Sequence, residues 1–126
     1  MIGRSGIASK SNCIVELGLR VNDVPPTRGF ACYELADHFK KHITDGHEFH
    51  CADEKEYEAA AIAFITPDED APNTEDCVRA RDNTFIRFDR RTNMICYLHA
   101  DGFIGSYHLV RNGDPYAYFR RKCRGQ

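Results

Sequence analysis

Residues 84–110, TFIRFDRRTNMICYLHADGFIGSYHLV, decide the fold of this 126-residue chain. Three runs rich in β-branched and aromatic residues, 84–89, 94–99 and 103–110, are separated by two short polar connections. Arg90-Arg91-Thr92-Asn93 and Ala100-Asp101-Gly102 supply the Asn and Gly that tight turns use. Strands joined this closely pair antiparallel, so the stretch predicts a β-meander. Strict alternation over the last run would put Ile104, Ser106, His108 and Val110 on one face and Phe103, Gly105, Tyr107 and Leu109 on the other.

Upstream of the meander, residues 77–81 read as a further short strand carrying Arg79 and Arg81. Before that come two helices. Cys32, Leu35, Phe39 and Ile43 recur at helical spacing and predict a helix over 32–43, ended by Asp45-Gly46. Asp53-x-x-Glu56 opens a second, alanine-rich helix running to Ile65. Tyr57, Ala60, Ala61, Phe64 and Ile65 form its expected buried face. Cys13, Val15, Leu17, Leu19 and Val21 alternate with polar residues as an N-terminal strand does, and Pro25-Pro26 breaks the run. Downstream, Asn112-Gly113-Asp114-Pro115 reads as a turn, with residues 116–120 as an edge strand. The expectation is an α+β chain: a loose leader (1–12), one domain (13–120) with an N-terminal strand, two helices and about four antiparallel strands, and a basic tail (121–126).

Apolar residues make up 42% and charged residues 29% of the chain, ordinary for a globular protein. No run approaches the roughly 20 apolar residues of a membrane span. The first ten residues lack the apolar core of a secretory signal, so the cytoplasm is the expected compartment. The six cysteines never form a C-x-x-C pair, and reduced, buried thiols are expected. Net charge is only −2, but its distribution is uneven. From Cys77 onward ten Lys or Arg face four Asp, a local excess of six positive charges suited to phosphates.

His38 and His42 lie four residues apart on one helical stripe, with Lys40 and Lys41 between them. Imidazole titrates near neutral pH, so the pair suits proton transfer at a phosphate. The same spacing serves metal ligation, yet Phe39 stands where a zinc protease carries glutamate. Solvated helix surface is the third reading. Ser106 and His108 point the same way, two residues apart, but no G-x-S-x-G elbow surrounds the serine.

The order of LADHFKKHITDGHEF (35–49), DEKEYEAAAIAFI (53–65) and CVRARDNTFIRFDRRTNMICYLHADGFIGSY (77–107) resembles small bacterial and phage-borne RNase toxin domains. These belong to the barnase, EndoU, colicin and RelE-like superfamily, and the colicin D-like branch is the most similar. The resemblance implies a metal-independent endoribonuclease, without cofactor, that cleaves RNA through its own 2′-hydroxyl, with tRNA as a candidate target. It further implies a cognate immunity or antitoxin protein. Carried over by position, it marks His38 and His42, Arg79, Arg81, Thr84 and Arg87, and Ser106 and Tyr107. With His108 added from the strand pattern, the expected catalytic set is His38, His42, Ser106 and His108. Lys41, Arg79, Arg81, Thr84, Arg87 and Tyr107 are the expected substrate contacts. The chain departs from the family pattern at Phe88 (tyrosine), Gly105 (arginine), Ser106 (threonine) and His108 (phenylalanine). These changes favour the alternative of a non-catalytic RNA- or protein-binding module of the same fold.

Overall fold

The computed structural model describes residues 27–66 and 73–126. The expected leader and the strand over 13–21 lie outside them. Three helices and one four-stranded antiparallel sheet form the described α+β fold. In chain order these are α1 (Cys32–Phe39), a π-helical turn (Lys40–Thr44), α2 (Glu54–Ile65), β1 (Thr74–Arg79), β2 (Thr84–Asp89), β3 (Met94–Leu98), β4 (Ile104–Leu109) and α3 (Pro115–Cys123). The strands lie in sequence order, β1-β2-β3-β4, as a meander joined by short turns must. Asn83 and Asn93 take positive φ in two of the connections, and Gly102 does so in the third.

Both faces of the sheet are covered. On one, Phe85, Cys96, Leu98, Ile104 and Tyr107 pack with Leu35 of α1 and Tyr57, Ala61 and Ile65 of α2. On the other, Ile86, Phe88, Ile95, Tyr97 and Val110 pack with Phe119 of α3. This explains why β2 and β3 read as nearly continuous apolar runs, since every position has a neighbour on its own side. Asp53 caps α2, its side chain accepting from Glu56 N. Glu58, on the same helix, is buried at 3% exposure and accepts from the backbone N–H of Phe30.

Four expectations change. Residues 116–120 do not form an edge strand. Asp114 accepts from the N–H groups of Tyr116 and Ala117, and Pro115 occupies the first turn, so the segment becomes α3 and takes in part of the expected tail. The thiols are not all reduced: Cys77 of β1 and Cys123 of α3 form a disulfide, and Cys32 is disulfide-bonded as well, while Cys51 and Cys96 are free and buried. The first helix widens after Phe39, with Asp45 N donating to Lys40 O at 2.8 Å, five residues back. That turn brings His42 and Ile43 inward together, at 5% and 9% exposure. Finally, alternation breaks in β4. Tyr97 pairs with Ser106 but Leu98 pairs with Ile104, so Gly105 is an extra, bulged residue. The bulge turns Ile104 toward the α2 side with Tyr107 and leaves Ser106 and His108 toward α3.

Candidate functional site

A cleft of about 310 Å³ opens where the β3–β4 end of the sheet meets α3. Its walls are Arg79, Tyr97, His99, Gly105, Ser106, His108, Tyr118 and Lys122. β4 supplies His108 and Ser106, the position just past β3 supplies His99, and α3 supplies Tyr118 and Lys122. The disulfide between Cys77 and Cys123 ties the end of α3 to β1, the strand that carries Arg79.

Ser106 Oγ and His108 Nδ1 are 2.8 Å apart, which fixes one edge of the His108 ring. That ring lies parallel to Tyr97 and edge-on to Tyr118. Burial, with the neighbouring His42 and Lys41, lowers the His108 pKa to about 4, so the ring is neutral at pH 7. His99 is held by Thr84, with Thr84 Oγ1 and His99 Nδ1 3.3 Å apart. Its ring occupies the space where a side chain on Gly105 would begin. Burial and the Tyr118 hydroxyl push the phenol of Tyr97 upward, leaving it protonated.

Arg79 is only 8% exposed. Its Nε and Nη2 donate to the two carboxylate oxygens of Asp82 at 3.1 and 3.0 Å, and the guanidinium lies over the Tyr97 ring. The pairing holds the Asp82 carboxyl far below the usual range. It leaves Arg79 Nη1 without a hydrogen bond among the described residues, on the residue that forms the cleft's β1 wall. Lys122 contributes the second cation, its Nζ 5.2 Å from the Tyr118 ring centroid.

The other expected residues lie elsewhere. His38 and His42 stand behind His108 rather than in the cleft, in a row of stacked rings. The centroids of His38 and His42 are 5.7 Å apart, and those of His42 and His108 are 5.0 Å apart. Burial lowers the pKa of His38 to about 4. Stacking turns ring faces, not nitrogens, toward one another, unlike converging metal ligands. Among the described residues no group of three His, Cys, Asp or Glu side chains is placed to hold a metal ion. Lys41 is exposed beside this row.

Arg87 does not join Arg79, because the two side chains leave opposite faces of the sheet. Arg87 faces α2, where Asp76 takes Nε and Nη2 and the carbonyls of Phe64 and Thr66 accept from Nη1. It therefore closes the C-terminal end of α2. Arg81 sits in the β1–β2 turn, not in the strand, and donates to the Gly125 carbonyl. Tyr107 is buried on the α2 side, its carbonyl accepting from the Tyr57 hydroxyl. Sequence reading misses His99, Lys122, Tyr97 and Tyr118 in the cleft and Glu48 behind it. The signal for Lys122 is the Asp-Pro helix start at Asp114 and Pro115.

No family model, curated protein or solved structure matches this chain. The cleft therefore has to be read from its own chemistry. Among the described residues, no helix is long and apolar enough to cross a membrane.

Proposed function

We propose that this chain is a metal-independent endoribonuclease of the toxin type, with tRNA as its candidate substrate. One observation carries the reading: His99 and His108 line a cleft that also presents Ser106, Arg79 and Lys122. Cleavage through the 2′-hydroxyl needs one group to take a proton, one to give a proton, and cations around the phosphate. The resemblance of the segment order to colicin D-like RNase toxins supports the same assignment.

His108 is neutral and has Nδ1 beside Ser106, so with the proton on Nδ1 its Nε2 lone pair is free. It acts as the base, taking the 2′-hydroxyl proton as the 2′-oxygen attacks phosphorus. The bond from phosphorus to the 5′-oxygen breaks, and His99, which lines the same cleft, gives a ring N–H proton to the departing oxygen. The products are a 2′,3′-cyclic phosphate and a 5′-hydroxyl. Arg79 Nη1 and Lys122 Nζ offset the charge that grows on the non-bridging oxygens. A bound phosphate also carries negative charge next to His108, which raises the affinity of that ring for a proton where it is needed.

A toxin of this kind needs an immunity or antitoxin protein, and an acidic partner seated on the Arg79–Lys122 cleft fits by charge. It would act in the cytoplasm, where tRNA is found. The test is to incubate purified protein with total tRNA and EDTA and to map the ends. Cyclic phosphate ends, lost in His108→Ala, support the reading; intact RNA, or equal cleavage by His108→Ala, sinks it. RNA retained in a gel shift without cleavage would instead make the cleft a binding module.

A further inference from the structure

Behind the cleft, one carboxylate holds two things in place. Glu48 Oε2 is 2.7 Å from His42 Nδ1, and Glu48 Oε1 accepts the N–H of Leu109 at 2.8 Å. The two side chains of the pair are 6% and 12% exposed for His42 and Glu48. Leu109 follows His108 directly, and β4 is an edge strand whose outer side has no neighbouring strand among the described residues. Glu48 thus pins the backbone next to His108 and, through Nδ1, the plane of the His42 ring.

That plane matters because His108 rests on it. The two rings are parallel to within 9° at 5.0 Å between centroids. His38, stacked on His42 and tilted at 34° against Phe30, closes the far side of His42. With Tyr97 within 18° of parallel at 6.3 Å, the neighbouring planes restrict the turning of the His108 ring. Its Nδ1 is thereby kept at Ser106. We propose that Glu48 is a positioning residue for the reaction at His108, acting through the His42 ring and the β4 backbone. The inference rests on the endoribonuclease reading of the cleft. A buried carboxylate that fixes the tautomer and plane of an imidazole is a general way to make a proton-transfer group reproducible. Here the carboxylate reaches the reacting ring through a second imidazole. The groups facing His108 are Lys41, His38 and His42 from the α1 side, Glu48 from the following loop, Tyr97 from β3, and Tyr118 from α3.

The experiment combines steady-state cleavage with nitrogen-15 NMR of the imidazoles. For Glu48→Gln, which keeps the side-chain shape, kcat should fall at least tenfold with KM within twofold of wild type. His108 should show a single tautomer in wild type and a mixture in Glu48→Gln. The His42 Nδ1 proton of wild type should resonate far downfield, as a proton shared with a carboxylate does. These wild-type signals do not depend on any variant folding, and the absence of either overturns the inference. An active wild type whose kcat and His108 tautomer survive Glu48→Gln unchanged overturns it while leaving the endoribonuclease reading intact. A wild type that leaves RNA whole removes both.

Discussion

His99 lies directly over Gly105, its Cε1 2.8 Å from where a Cβ would stand. The backbone of Gly105 is not in the left-handed region, so space rather than φ is what requires glycine here. The His99 ring fills the room that a side chain at this position would need.

Gly105→Ala should therefore act as a lesion of His99. The methyl group displaces the ring and breaks its contact with Thr84 Oγ1. Cleavage is expected to fall about 10²-fold, similar to His99→Ala, in line with the usual worth of one acid or base group. Both variants assayed on the same RNA check this. Gly105→Ala cleaving as wild type while His99→Ala is dead would place the ring elsewhere.

Acid should destabilise the fold through its buried imidazoles. The pKa values of His38 and His108 both drop from 6.5 to about 4, mainly by burial. Below pH 6.5 the unfolded chain binds protons that the folded chain refuses, so stability falls as pH decreases. The loss sets in near pH 6.5 and is complete below about pH 4. His108 alone contributes up to about 3 kcal/mol, since each tenfold drop in proton affinity on folding is worth about 1.4 kcal/mol. Denaturant melts at pH 7, 5.5 and 4 read this directly. His108→Gln should flatten the slope between pH 6.5 and 4, and an unaltered slope would count against a buried neutral ring.

Arg87 offers the contrast between stability and chemistry. Its guanidinium joins β1 to β2 through Asp76 and caps α2 through the Phe64 and Thr66 carbonyls. Arg87→Ala strands those groups and should cost roughly 3 kcal/mol. Activity per folded molecule should stay within about threefold of wild type, since an effect well under 1.4 kcal/mol separates the variant from a tenfold loss. Arg79→Ala also strands a carboxylate, that of Asp82, so it should lower the melt as well, but unlike Arg87→Ala it should cost a large loss of cleavage per folded molecule.

The fold is largely legible in the sequence because its signals are local. Alternation and turn residues place β2, β3 and β4, and Asp53 marks the start of α2. What escapes depends on contacts distant in sequence. The bulge at Gly105, with the His99 ring packed against it, is a feature that no alternation pattern reveals. Arg79 and Arg87 read as a pair, yet only the cross-strand register, with Arg79 opposite Thr84 and Arg87 opposite Asp76, shows that they leave opposite faces. His38 and His42 stand out as the spaced histidine pair, but the fold buries His42 and half-buries His38 behind the cleft, and the chemistry facing the cleft passes to His108 at the end of the row. Asp114-Pro115 reads as a turn although Asp followed by Pro is also a helix start.

The disulfide turns that last element into a redox-dependent part of the site. Cys77 and Cys123 are 46 residues apart in sequence, and their bond fastens the final turn of α3 beside β1. Closing a loop of that size typically stabilises a fold by about 2–4 kcal/mol. Apart from it, α3 is held by Phe119 in the core, with Tyr116 and Arg120 bonded to Glu75. Cys123→Ser should lower the melting temperature by roughly 10 °C, and dithiothreitol, which also reduces the bond at Cys32, should lower that of wild type by at least as much. Because α3 carries Tyr118 and Lys122, KM for RNA should rise several-fold while kcat, set by His99 and His108, changes less. Thermal melts and cleavage assays with and without reductant give both numbers. Coincident melts would mean that Phe119 and the Glu75 contacts suffice to seat the helix.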